Sequence, residues 1–136
     1  MDHNMFCFQC EQTAGCTGCT SRGVCGKDAQ TAQAQDRLTG ALIGLARAAD
    51  TSPDAGPETW QLMIEGLFAT LTNVNFDPDS LNALAGRVRA EKQRLVPDCA
   101  VCTEPCGRTG DYDLAQLWGA QEDIRSLKSL LLFGSR

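Results

Sequence analysis

Five of the eight cysteines in this chain lie in one short segment, between Cys7 and Cys25. The segment reads CFQCEQTAGCTGCTSRGVC, and neither a helical nor a strand period runs through it. Its few apolar side chains cannot offset the conformational entropy lost when such a loop is ordered. We therefore predict that something bound to the sulfurs orders this loop, and that the rest of the chain holds it.

Eight cysteines in 136 residues leave three uses open: disulfides, zinc, or iron–sulfur clusters. The opening residues, MDHNMF, have neither the basic nor the apolar region of a secretory signal, and the apolar run around 127–133 is too short to span a membrane. We therefore expect a cytoplasmic protein with reduced thiols, which favours metal or cluster binding. His3, the only histidine, is expected to be a solvated side chain rather than a ligand.

The net charge of -5 argues against a nucleic acid or an anionic membrane as partner, because both select basic surfaces. A redox partner protein or a second copy of the chain is expected instead. The length fits one domain, so residues 1–136 are expected to form a single helical domain. Within it, 7–25 is the predicted cluster-binding loop and 99–106 is a second cysteine loop.

The remaining sequence predicts an all-α bundle of about four helices, with no strand-period segment. Asp28 is predicted to cap the first helix, which runs to about Ala49 and places Leu38, Leu42, Leu45 and Ala49 on one face. Gly40 and Gly44 in this helix would let a neighbouring backbone come close.

Three further helices follow from the same reasoning. The second begins at Pro57, the third is capped by Asp79 or Ser80 and runs to about Leu95, and the last spans Leu114 to about Phe133. Their apolar positions predict the core. These are Trp60, Met63, Ile64, Leu67, Phe68 and Leu71 in the second helix; Leu81, Leu84, Ala85, Val88 and Leu95 in the third; and Leu117, Trp118, Ile124, Leu127, Leu130 and Leu131 in the last.

Within the first loop, Cys7 and Cys10 have the two-residue spacing that zinc and iron–sulfur sites share. Cys19 and Cys25 can complete a set of four thiolates, and Cys16 is a spare. The later thiols are spread out among glycines, which would let backbone N–H groups approach cluster sulfurs and raise the reduction potential. Arg22 and Lys27 would raise the potential too. This spacing favours a cluster over zinc.

Several stretches resemble the hybrid cluster protein family, also called prismane proteins or hydroxylamine reductases. The most specific is FCFQCEQT from Phe6, followed by GCT from Gly18 and GVCGK from Gly23. The likeness continues in FATLTNVNFD from Phe68, CGRTGDYDL from Cys106 and EDIRSLKSLLLFG from Glu122, so it covers almost the whole chain.

The resemblance implies a helical N-terminal domain in which Cys7, Cys10, Cys19 and Cys25 hold a [4Fe–4S] cluster, or in some members a [2Fe–2S] cluster. In the family this centre passes electrons to a hybrid iron–sulfur–oxygen cluster, where hydroxylamine or nitric oxide is reduced. Family members are several times longer, and their hybrid-cluster ligands lie in later domains. The resemblance therefore implies electron transfer and does not imply hydroxylamine reduction by these residues alone.

A second thiol set, Cys99, Cys102 and Cys106, leaves its use open. With Cys16 or a partner's residue as fourth ligand it would hold a second iron–sulfur cluster. A zinc or redox-active thiol site and unligated cysteines are the alternatives.

Three functional hypotheses remain. The chain is an electron-transfer module, or a zinc-stapled helical interaction module, or a small subunit or excised domain of a nitrogen-oxide-reducing enzyme.

Overall fold

The computed structural model describes residues 5–10, 12–97 and 110–134. Within these ranges the chain forms five α-helices: α1 (Ala29–Thr51), α2 (Pro57–Ala69), α3 (Pro78–Leu95), α4 (Leu114–Trp118) and α5 (Glu122–Gly134). A single turn of 3₁₀-helix, Ala14–Cys16, precedes them, and no strand is present among the described residues apart from one isolated bridge. The prediction of an all-α fold is confirmed. No helix in these ranges is long and apolar enough to cross a membrane.

The core lies where α1 packs along α3, with α2 against both. Asp28 caps α1 as predicted, because its Oδ1 accepts a hydrogen bond from the Thr31 N–H at 2.8 Å. Every apolar residue predicted to face the core from α1 and α3 is buried: Leu38, Leu42, Leu45, Ala49, Leu81, Leu84, Ala85, Val88 and Leu95. The helical period of these two segments was therefore a reliable guide to the core.

The cap predicted for α3 was wrong by a few residues. Asp77, rather than Asp79 or Ser80, is the N-cap, and its Oδ1 accepts a hydrogen bond from the Asp79 N–H at 3.0 Å. Pro78 explains the difference, because a proline with its fixed φ and missing N–H suits the first helical position.

Gly40 allows the close backbone approach predicted for it. The Tyr112 N–H donates to the Gly40 carbonyl at 3.0 Å, and a Cβ on Gly40 would lie 2.2 Å from the Tyr112 carbonyl oxygen. This contact joins the segment before α4 to the middle of α1. It places α4 beside α1 and next to the cysteine loop.

The prediction that α2 is well buried was wrong. Trp60 is 47% exposed, Ile64 67% and Phe68 62%. The helix instead turns small residues to α1 and α3, as at Gly66, where an added Cβ would lie 2.6 Å from the Leu42 side chain. Small residues permit tight helix packing, and the large apolar side chains then fall on the outer faces.

The last predicted helix is two helices. Gly119 ends α4, and α5 starts again at Glu122. This break resets the helical phase, so Leu117 stays buried but Ile124, Leu127, Leu130 and Leu131 are exposed, contrary to prediction. Ser129 is instead the buried residue of α5.

Candidate metal centre

Cys7 and Cys19 lie side by side at the base of the first loop. They form an antiparallel bridge in which the Cys7 N–H donates to the Cys19 carbonyl at 3.0 Å and the Cys19 N–H donates back at 2.9 Å. Both thiols are buried, with residue exposures of 7% and 3%. The structure thus brings together two of the four predicted ligands, from positions far apart in the loop.

Gly18 makes this closure possible. Its φ of +128° is a conformation that side chains rarely adopt, and an added Cβ would lie 2.6 Å from the Phe6 ring. The loop between the bridged cysteines folds into the turn at Ala14–Cys16. Cys16 itself has a φ of +58° and is exposed.

Cys25 sits in a second tight turn. The Gly26 N–H donates to the Gly23 carbonyl at 2.8 Å, and the Gly23 N–H donates to the Lys27 carbonyl at 2.7 Å. A Cβ on Gly23 would lie 3.0 Å from the Cys25 Sγ, so the backbone at Gly23 runs directly beside this sulfur. At Gly23 the backbone therefore approaches a sulfur as predicted, although the Gly23 N–H donates to the Lys27 carbonyl rather than to sulfur.

Two donors reach the bridged sulfurs. The Ala14 N–H donates to the Cys19 Sγ at 3.4 Å, and the Lys27 ammonium donates to the Cys7 Sγ at 3.7 Å. Lys27 is 1% exposed, and it also donates to the Gln9 Oε1 at 3.1 Å. Burial raises the pKa of the Cys7 thiol, and Lys27 opposes that rise. Lys27 is thus the group that favours negative charge on the Cys7 sulfur, while burial of the free thiol acts more strongly in the opposite direction.

Asp36 of α1 is a partly buried carboxylate that interacts with this cation, and sequence reasoning missed it. Its Oδ2 accepts a hydrogen bond from the Trp118 Nε1–H at 3.0 Å. Burial raises the pKa of Asp36 to about 6, against the opposing effects of the Trp118 hydrogen bond and of Lys27. The sequence did place Asp36 on α1 between Gln35 and Leu38, which are both buried, and this position could have indicated that Asp36 is partly buried.

Trp118 of α4 and Arg125 of α5 contact aromatic side chains at the start of the loop. Trp118 contacts Phe6, with ring centroids 5.6 Å apart, and stacks on Phe133 at 5.8 Å. The Arg125 guanidinium lies over both Phe6 and Phe8, at 5.2 and 4.8 Å from their centroids. Arg125 also escaped the sequence analysis, because its helix was expected to turn a different face inward.

A cleft of about 450 Å³ lies between the loop and α5. Cys10 and Cys16 line it from the loop, and Ser126, Ser129 and Leu130 line it from α5. Cys10, the third predicted ligand, is thus partly accessible, whereas Cys7 and Cys19 are buried.

No set of three or more His, Cys, Asp or Glu side chains within 5–10, 12–97 and 110–134 is arranged to hold a single metal ion. The four-cysteine ligand set therefore stays a prediction. The local chemistry nevertheless fits a thiolate-bound cluster, because two buried cysteines lie together with an amide N–H and an ammonium directed at their sulfurs. Cys99, Cys102 and Cys106 lie outside the described residues.

Comparison with known proteins gives a consistent family. Residues 5–136 match the model of the Prismane/CO dehydrogenase family. The chain is 37% identical to a hydroxylamine reductase of Maridesulfovibrio salexigens over 96% of its own length, and 38% identical to one of Clostridium perfringens over the same share. It is 47% identical to hydroxylamine reductase 2 of Clostridium acetobutylicum. The chain spans only 27%, 28% and 30% of these relatives.

Proposed function

Because the chain belongs to the Prismane/CO dehydrogenase family, we propose that it is an electron-transfer module built around an iron–sulfur cluster. Cys7, Cys10, Cys19 and Cys25 are the proposed ligands. The observation that carries the proposal is the buried pair Cys7 and Cys19, whose sulfurs accept hydrogen bonds from the Lys27 ammonium and the Ala14 N–H. A cation and an N–H group directed at sulfur favour the thiolate form, which is the form that ligates a metal centre.

The proposed cluster is [4Fe–4S], with [2Fe–2S] as the alternative. When bound, it would supply a centre that accepts and releases one electron. The chain's own contribution is to fix the sulfurs, to direct donors at them, and to limit access of water. Phe6 and Phe8, which lie against Arg125, are the side chains proposed to limit that access.

We further propose that electron transfer, rather than the reduction of a nitrogen oxide, is the task of these residues. The relatives named hydroxylamine reductase are more than three times as long as the stretch that this chain matches. The resemblance places the ligands of the hybrid cluster in later domains of the family, and the 136 residues contain a single histidine, His3. A second chain, or a second copy, is the proposed redox partner, and the cytoplasm is the proposed location.

The test is an anaerobic potentiometric titration followed by EPR. We expect a visible absorption that dithionite bleaches and air-free reoxidation restores, with a one-electron EPR signal in the reduced state. A hydroxylamine assay on the same sample should give no turnover above free iron and sulfide. A colourless protein with one zinc per chain would contradict the proposal, and turnover by this chain alone would contradict the restriction to electron transfer.

A further inference from the structure

Lys27 is a fully buried cation for which the described part of the chain provides little counter-charge. The residue is 1% exposed, although lysine is among the residues most rarely buried. Its ammonium contacts the Cys7 Sγ at 3.7 Å and the neutral Gln9 amide oxygen at 3.1 Å. No described carboxylate lies within ion-pair distance of it, since the four ion pairs in the described ranges all involve other residues.

Asp36, a partly buried carboxylate that attracts Lys27, does not satisfy this charge. Asp36 attracts Lys27 only from beyond ion-pair distance, and its Oδ2 accepts a hydrogen bond from Trp118. An ammonium held in a low-dielectric site without an anion is costly, because it loses its hydration without compensation. The position of Lys27 therefore calls for a negative group at the sulfur that it contacts.

We propose that Lys27 is the buried counter-cation of the cluster site, and that it sets the reduction potential through the Cys7 sulfur. This inference rests on the proposed function. Reduction adds one negative charge beside a fixed positive one, so the reduced state gains more from Lys27 than the oxidised state does. Lys27 would therefore act on the iron indirectly, through the Cys7 sulfur that it contacts.

Arg22 provides the matched comparison. It lies on the same loop and carries the same charge, but its side chain is exposed. Solvent and salt screen an exposed charge far more than a buried one. From the sequence, Arg22 and Lys27 were expected to raise the reduction potential alike. The structure assigns this effect to Lys27.

The experiment measures the midpoint potential of the cluster-loaded protein in four variants. Lys27→Met and Lys27→Gln should each favour the oxidised state, lowering the equilibrium constant for reduction at least about tenfold, or 59 mV for one electron. Arg22→Gln should change the equilibrium constant for reduction less than about threefold, because solvent and salt screen the Arg22 charge. Lys27→Arg, which keeps the charge, should stay close to the wild type.

Lys27→Gln separates charge from hydrogen bonding, because its amide can still donate to the Cys7 sulfur. A normal potential in Lys27→Gln, or equal shifts in the Lys27 and Arg22 variants, would overturn the assignment. Both neutral variants could lose their iron. In that case, normal iron content in Lys27→Arg would support the role of the positive charge, and iron loss in Lys27→Arg would contradict it. A wild-type protein without iron would instead overturn the proposed function itself.

Discussion

At the scale of single residues, the cysteine loop depends on Gly18, where any side chain would be strained. Gly18 combines a φ of +128° with a Phe6 ring where a Cβ would be. It directly precedes Cys19, so any change of its backbone moves a sulfur. The sequence predicted glycines that bring the backbone close to sulfur, and Gly23 fits that prediction. At Gly18, the φ and the packed ring are features that only the fold could reveal.

We predict that Gly18→Ala weakens the site. The left-handed backbone and the clash with Phe6 should together cost roughly 1–3 kcal/mol of stability. The expected result is a lower iron content per chain and a lower melting temperature under anaerobic conditions.

Gly56→Ala is the control for this variant, because nothing lies within 4 Å of a Cβ at that position. Gly18→Ala protein with the iron content and melting temperature of the control would show that the Cys7–Cys19 bridge does not require glycine.

Asp36 predicts a pH dependence of stability. Its pKa rises from 3.8 unfolded to about 6 folded, so the folded chain keeps a proton that the unfolded chain has lost. The free energy of unfolding should therefore fall as the pH rises from about 4 to about 6.5. Lys27, Arg37 and Asp113 are the charged groups that act on it.

Asp36→Asn should remove this dependence, because an amide cannot ionise yet still accepts the Trp118 hydrogen bond. Between pH 5 and 7.5 the variant should gain roughly 1 kcal/mol relative to wild type in urea unfolding. Asp50→Asn, an exposed position on α1, should show no such gain. Parallel pH profiles for wild type and Asp36→Asn would refute the prediction.

At the scale of helices, the long periodic segments were predicted well and the short ones were not. The core faces of α1 and α3 follow directly from leucine and alanine spacing, because each helix has one apolar stripe and one partner. α5 also has an apolar stripe, at Ile124, Leu127, Leu130 and Leu131, but the structure leaves it exposed. Periodicity shows that a helix has an apolar face and does not show what that face contacts.

Gly40 and Gly86 offer a paired test of helix packing, since both lie inside long helices. A Cβ on Gly40 would meet the Tyr112 carbonyl at 2.2 Å, whereas one on Gly86 meets nothing within 4 Å. We expect Gly40→Ala to lower the free energy of unfolding by about 2 kcal/mol through overpacking.

The companion variant Gly86→Ala should raise the free energy of unfolding by up to about 1 kcal/mol, through helix propensity alone. Both values come from anaerobic chemical denaturation followed by circular dichroism. Stabilisation by Gly40→Ala would mean that α1 and the segment at Tyr112 do not pack as described.

At the scale of the whole molecule, the chain is a helical support for an irregular loop. α1 begins directly after the loop. Trp118 of α4 and Arg125 of α5 contact aromatic residues of the loop segment, and Phe133 of α5 stacks on Trp118. The fold class and the loop could be predicted because helix formers and cysteines are local signals. The buried Lys27 and the partly buried Asp36 could not be predicted, because residues distant in sequence, such as Cys7 and Trp118, make their environment. The use of Cys99, Cys102 and Cys106 stays a prediction.

The central claim, that iron and sulfide order the loop, is tested most directly by counting both per chain in protein purified without oxygen. We predict about four irons and four sulfides, or about eight of each if the second thiol set is also loaded. Cys10→Ser should lose the first cluster and much of the melting temperature, while Cys16→Ser should keep about four irons. Protein that is free of iron yet folded, with an unchanged melting temperature in Cys10→Ser, would contradict the account.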